Sequence, residues 1–210
     1  MREIYMNKLS ENFMNFIDKL DDRSYLLSII AYNAAPALGK IKPSYLIIFH
    51  NKGKKKLYDF WQKYKNSIKE ELNIKFFELK RIEDSEVVLF YNEEQIKLLL
   101  EEESNLNFLE KYGYSKSMDI DECLQHLKER YINLCPHEMG IFLGYPIEDV
   151  IEFIEFPHKK ALMFGYWKVY NNLEKAINTF NKYDEMKNEV IKLIVKGIQP
   201  YKVITNIGLK

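Results

Sequence analysis

Four consecutive residues, Cys135-Pro136-His137-Glu138, concentrate the reactive side chains of this chain. A thiol two positions from an imidazole, where Pro136 can open a short helix, is a setting that stabilises a thiolate. Cys and His are also ligands for soft metals. In a catalytic version His137 is a general base or a metal ligand, Glu138 orients it, and Cys135 is optional. The spacing is not that of a zincin, because no second His stands four residues after His137. Nor is it a zinc finger, since the chain has only 2 cysteines. A metal held by Cys135 and His137 would need further ligands, with His50, His158 and Cys123 the obvious suppliers, and spacing does not place them. The plain alternative is a small buried Cys135, with His137 and Glu138 hydrogen-bonded to neighbouring loops at a helix start. The metal and any cofactor stay unknown at this level.

Three further segments carry candidate chemistry. Gly140 and Gly144 sit four apart in an apolar stretch, a spacing that permits close approach of another helix or a flat ligand. Tyr145-Pro146 then makes a sharp entry to a helix whose first turn holds Glu148 and Asp149, where the dipole favours acids. Gly165-Tyr166-Trp167-Lys168 could stack a flat ligand or a base. Strand alternation puts Trp167 with Val169 on one face and Tyr166 with Lys168 and Tyr170 on the other, which is also how an ordinary core strand reads. The loop His50 to Lys56, HNKGKKK, combines lysines with the amides of a helix start, which can hold an anion. It lacks the phosphate-loop pattern and reads equally as a solvated basic loop. His126 lies one turn from Glu122 and Arg130, on a face expected to be wet.

These segments need a frame to position them. Phe13, Phe16, Ile17 and Leu20 fall at helical spacing, and so do Tyr25, Leu26, Ile29 and Ile30 after a break at Asp21-Asp22. The loop Ala34 to Pro43 is followed by an apolar strand, Ser44 to His50. A helix with the stripe Leu57, Phe60, Trp61, Tyr64, Ile68 and Leu72 comes next. Strands near Ile74 to Lys80 and Glu86 to Tyr91 pair around the polar turn Ile82 to Ser85. Helical patterns fill Glu93 to Leu134. Ala161 to Tyr170 reads as one strand bent at Gly165. Asn171 or Asn172 then caps a long helix that Gly197 stops.

The string CPHEMGIFLGYPIEDV, followed by GYWKVY, resembles an uncharacterised bacterial family, domain of unknown function 3793, common in anaerobic low-GC bacteria. The earlier AAPALGKIKPSYLIIF is similar to that family's N-terminal signature, an Ala-Pro and then a Lys-Pro leading into an apolar strand. The resemblance covers roughly Ser24 to Tyr183, leaving Asp184 to Lys210 as an extension particular to this member. It implies no activity, cofactor or catalytic residue.

Composition bounds the rest. A 210-residue chain of 25.2 kDa buries roughly 26,000 Å² on folding, ample for a core without disulfides. Lys+Arg and Asp+Glu are equal at 31 each, so no global field steers nucleic acid or an acidic membrane. Only four of the basic residues are Arg, which argues further against a reader of nucleic acid. No apolar run suits a membrane span or a secretory signal, so a cytoplasmic setting is expected. The expected architecture is a single α+β (or α/β) domain with a small mixed sheet of about four strands packed by helices. N-terminal helices occupy 1–40, a β-α-β-β unit 44–91, a helical segment with the motif 93–157, and a strand with the long C-terminal helix 161–197. The expected site lies where His137, Glu138 and the Gly144-Tyr145-Pro146 turn meet the Lys42-Pro43 loop and Tyr166-Trp167-Lys168. It would serve a small-molecule or metal-binding protein, enzyme or not; the alternative is a non-catalytic module that docks another protein.

Overall fold

The computed structural model describes residues 2–72, 75–132 and 134–207. Ile74, the expected start of a strand, lies outside them. The chain begins with α1 (Arg2–Ile17), α2 (Asp22–Asn33) and α3 (Ala35–Leu38). Asp21 caps α2, its carboxylate accepting the amides of Arg23 and Ser24 at 3.1 Å each. Then come β1 (Ser44–His50), α4 (Leu57–Leu72), β2 (Phe76–Ile82) and β3 (Ser85–Tyr91), and the strands form a sheet in the order β1-β3-β2. Both pairings are antiparallel, from Ser44 opposite Tyr91 to His50 opposite Ser85, and from Phe76 opposite Phe90 to Ile82 opposite Ser85. β1 and β2 therefore run the same way but are parted by β3. A bulge between Glu78 and Lys80 shifts the second register.

β3 is buried on both faces, and alternation divides its side chains between two cores. Val88 and Phe90 join Ile47, Phe49, Trp61 and the apolar stripes of α1, α2 and α4. Trp61 is fully buried and stacks on Phe49 at 4.7 Å. Val87 and Leu89 point the other way, into a core closed by α5 (Glu93–Glu101), α6 (Glu103–Glu110), α7 (Ile120–Arg130), α8 (Met139–Phe142) and α9 (Ile147–Glu155). Asp119 opens α7 with a capping box to Glu122. His126 of α7 is half-buried, not on a wet face. Its Nε2 is 2.9 Å from the Tyr112 carbonyl oxygen, and its ring meets Tyr114 edge-on at 4.6 Å.

The stretch Ala161 to Tyr170 is not one bent strand. It folds back at Gly165 into a short hairpin, β4 (Met163–Phe164) against β5 (Lys168–Val169). The architecture is the expected α+β domain with little sheet, and the strands are split into two antiparallel pieces, one of three strands and one of two. The hairpin has its own small core, in which Trp167 and Val169 pack on Ala176, Phe180 and Tyr183 of α10 (Leu173–Val195). The far half of α10 supplies Val190, Ile191 and Ile194 to the first core, beside α11 (Pro200–Asn206). Asn172 caps α10 by accepting the Lys175 amide at 3.1 Å. Among the described residues no helix is long and apolar enough to cross a membrane.

Candidate functional site

Three chain segments meet beside α8 and α9. Gly144, which follows α8, has φ +70°, and a Cβ there would lie 2.5 Å from Cδ of Pro43. Only glycine tolerates both the backbone conformation and that approach. The Ser44 hydroxyl donates to the Phe142 carbonyl at 2.6 Å in a buried position. The Lys42-Pro43 loop and the Gly-Tyr-Pro turn are therefore in direct contact. Gly140 serves a similar end, since a Cβ there would come within 2.9 Å of Val150.

Asp149 brings in the third segment. It is 3% exposed, and four donors from the hairpin end converge on its carboxylate. Oδ2 accepts the Trp167 indole N–H at 2.7 Å. Oδ1 accepts the Tyr170 and Asn171 amides at 3.0 and 2.8 Å, and the Asn171 side-chain amide at 3.1 Å. Charge-assisted bonds of this kind are the strong ones. They fix the hairpin against the start of α9 and stand the Trp167 ring 5.4 Å from Tyr145.

Between these walls lies a cleft of about 360 Å³. Met139, Leu143, Val150 and Phe153 make it mainly apolar, Tyr145 and Trp167 give it aromatic walls, and Cys135, His137 and Lys168 bring polar atoms. The His137 ring is exposed and sits edge-on to Phe153 at 5.6 Å. The Lys168 ammonium stands 4.9 Å from the Phe153 ring centre. Cys135 is a free, exposed thiol. Burial holds the Tyr145 hydroxyl up at about 12, so it is a proton donor and not an anion at neutral pH.

Of the residues singled out from sequence, Cys135, His137, Tyr145, Trp167 and Lys168 line this cleft. Pro43 and Gly144 lie on the far side of Tyr145, in a second and more polar depression of about 660 Å³. Lys42 is buried behind Tyr145. Tyr166 faces α10, where its hydroxyl donates to Asp184 at 2.8 Å. Glu138 does not orient His137. Its side chain is completely buried and bonded to Arg130 of α7. Among the described residues no three His, Cys, Asp or Glu side chains converge as a metal would require. Cys123, a suggested further ligand, is buried in the second core, and burial pushes its thiol up to about 11. His50 is at the end of β1, where its Nδ1 accepts the Lys52 amide at 3.1 Å. In the same basic loop, Lys55 donates to the Leu20 carbonyl at 3.3 Å.

The residue that shapes the cleft and was missed from sequence is Asp149. Its position in the first turn of a helix explained it fully, and its partners lie 18 to 22 residues onward. The one available signal was the recurrence of a Gly-Tyr-Pro and a Gly-Tyr-Trp segment on either side of it.

A family model described as a protein of unknown function (DUF3793) matches residues 30–204. The match runs through most of the segment after Tyr183, so that segment is not an extension particular to this member. No curated protein and no solved structure matches the chain.

Proposed function

The chain belongs to the DUF3793 family, and we propose that it is a binding protein for a small, flat, largely apolar molecule held in the Tyr145–Trp167 cleft. The observation that carries this reading is the convergence of two separate motifs on one cavity of ordinary ligand size. Apolar side chains and two aromatic walls would take the body of the ligand. Lys168 and His137 at the rim would take a polar or anionic edge. The thiol of Cys135 stands close enough to add a soft contact, and the reading requires no bond to it.

The test is a solution NMR titration with naphthoate, a planar aromatic carboxylate. Saturable shifts centred on Met139, Val150 and Trp167 are expected, with Lys168→Ala weakening binding about fivefold through loss of a rim charge. Shifts that never saturate, or that spread evenly over the surface, would sink the reading.

A second reading, a face that docks another protein, rests on Phe164, whose ring centre lies 5.9 Å from the ammonium of the cleft-lining Lys168, and on two further exposed apolar residues near it in sequence. Phe156, Leu162 and Phe164 are 53%, 60% and 73% exposed. Isolated apolar residues are common on surfaces, but a cluster marks an interaction site. A Phe164→Ser variant separates the two readings. It leaves naphthoate binding intact under the first and disturbs only association with a protein under the second.

A further inference from the structure

Two lysines outside the cleft lie among aromatic rings and pair with no acid, Lys42 buried and Lys187 half-buried. Lys42 is 2% exposed. Its ammonium stands 4.8 Å from the ring centre of Tyr45, 5.5 Å from Tyr145 and 5.8 Å from Tyr183. Lys187 of α10 shares the Tyr45 ring at 5.1 Å and faces Tyr32 at 5.2 Å and Tyr166 at 4.9 Å. Among the described residues neither ammonium forms an ion pair with a carboxylate, and their close neighbours are these rings. Asp184, the acid on the same helix, accepts the Tyr166 hydroxyl instead and acts on Lys187 only from farther off.

This arrangement is unusual for a buried cation. Lysines are almost never fully buried without a partner. The chain itself obeys that rule elsewhere, since Lys65 lies against Glu78 and Glu86. Aromatic faces attract an ammonium, but more weakly than its lost hydration repels burial. Burial and the charge of Lys187 together push the Lys42 ammonium down to about 7. Burial lowers Lys187 as well, against the pull of Asp184. The walls are aromatic, two basic groups share one ring, and Asp184 is engaged by Tyr166. An incoming negative group would relieve both the repulsion and the lost hydration.

We propose that Lys42 and Lys187, enclosed by Tyr32, Tyr45, Tyr145, Tyr166 and Tyr183, form a binding site for a small oxyanion, a single phosphoryl or carboxylate group. Entry is from the Lys187 side, which is half-buried where Lys42 is closed. The site is distinct from the apolar cleft and shares only the Tyr145 ring with it. Binding favours the ammonium form of Lys42, so it draws a proton from solution near neutral pH. The facing groups from α2, β1, the Tyr145 turn, the hairpin and α10 are those five tyrosines with Lys187 and Asp184. Burial holds Tyr45, Tyr145, Tyr166 and Tyr183 above their ordinary range, so they keep their protons there.

The test is isothermal titration calorimetry with inorganic phosphate and with acetate, at constant ionic strength set by chloride, in two buffers of different ionisation heat. One of the two anions is expected to bind one to one, with uptake of part of a proton once the ionisation of the anion itself is subtracted. Phosphate alone marks a phosphoryl site, and acetate alone a carboxylate site. Lys187→Met should weaken that binding about tenfold or more. Lys42→Met should remove the proton uptake. If Lys42→Met does not fold, Lys187→Met carries the test. The proposal is overturned if neither anion binds, or if Lys187→Met binds as tightly as the natural chain.

Discussion

Glu138 and Asp149 are both carboxylates taken out of water beside the cleft, and their surroundings differ in kind. Glu138 meets a cation, Arg130, whose side chain is 34% exposed. Asp149 meets no cation among the described residues; indole and amide dipoles hold it. A charge pair depends on its partner's charge, so losing the partner strands a full charge. A ring of dipoles shares the burden, so losing one donor costs little but losing the acid strands several donors at once. The first arrangement pins α8 to α7. The second ties the hairpin to α9 and so shapes the cleft.

The sharpest way to break this comparison is Arg130→Ala. It should cost about 3–4 kcal/mol in urea unfolding, because Glu138 is left buried and unpaired. Asp149→Ala should follow at about 2–3 kcal/mol, the cost of donors left unsatisfied. If Asp149→Ala proves the more damaging of the two, the distinction between charge and dipole compensation fails. Hydrogen exchange sharpens it further. The Tyr170 and Asn171 amides should lose protection in Asp149→Ala and keep it in Arg130→Ala. Gly144→Ala tests the contact with Pro43, and a loss of roughly 2 kcal/mol is expected from the left-handed backbone and the collision together.

Lys42 adds a third kind of compensation, aromatic faces alone, and it predicts a pH effect of known sign. The folded-state value is about 7, against 10.5 for an ordinary lysine. Between those values the unfolded chain carries a proton that the folded chain lacks, so stability rises with pH through that window. In buffer free of oxyanions, a gain on the order of 1 kcal/mol is expected from pH 6.5 to 8, and Lys42→Met should abolish it. The smallest effect belongs to His137→Ala. The ring is exposed, so stability should change by less than about 0.5 kcal/mol while naphthoate binding weakens.

Much of the frame was legible because it is local. The break at Asp21-Asp22 marks a cap, the Asn171-Asn172 pair marks another that the structure gives to Asn172, and the stripe containing Trp61 and Ile68 names a buried helix face. The site was legible only as a neighbourhood. The Lys42-Pro43 loop, the Gly144-Tyr145 turn and Trp167 do meet, but the roles within the group follow from partners that spacing does not encode. Glu138 pairs with a residue eight positions back in another helix, beyond the three- or four-residue spacing at which side chains of one helix meet, so its turn away from His137 left no mark in the sequence. Ala161 to Tyr170 misled as one strand because an apolar run with a single glycine does not say whether the chain bends or reverses. The buried lysines were hidden for the opposite reason. Lysine is read by default as a surface residue, and only the assembled tyrosines show otherwise.

The placement of the two tryptophans has a practical consequence. Trp61 belongs to the sheet core and Trp167 to the hairpin core, and they are the only 2 in the chain. Both indoles donate to a carboxylate, Trp167 to Asp149 at 2.7 Å and Trp61 to Glu78 at 3.3 Å, so the first is held more closely. The molecule thus carries one indole fluorophore in each region. Substituting either one by Phe leaves an emission signal that reads a single region, so the order in which the cleft corner and the sheet melt can be followed without attaching a dye.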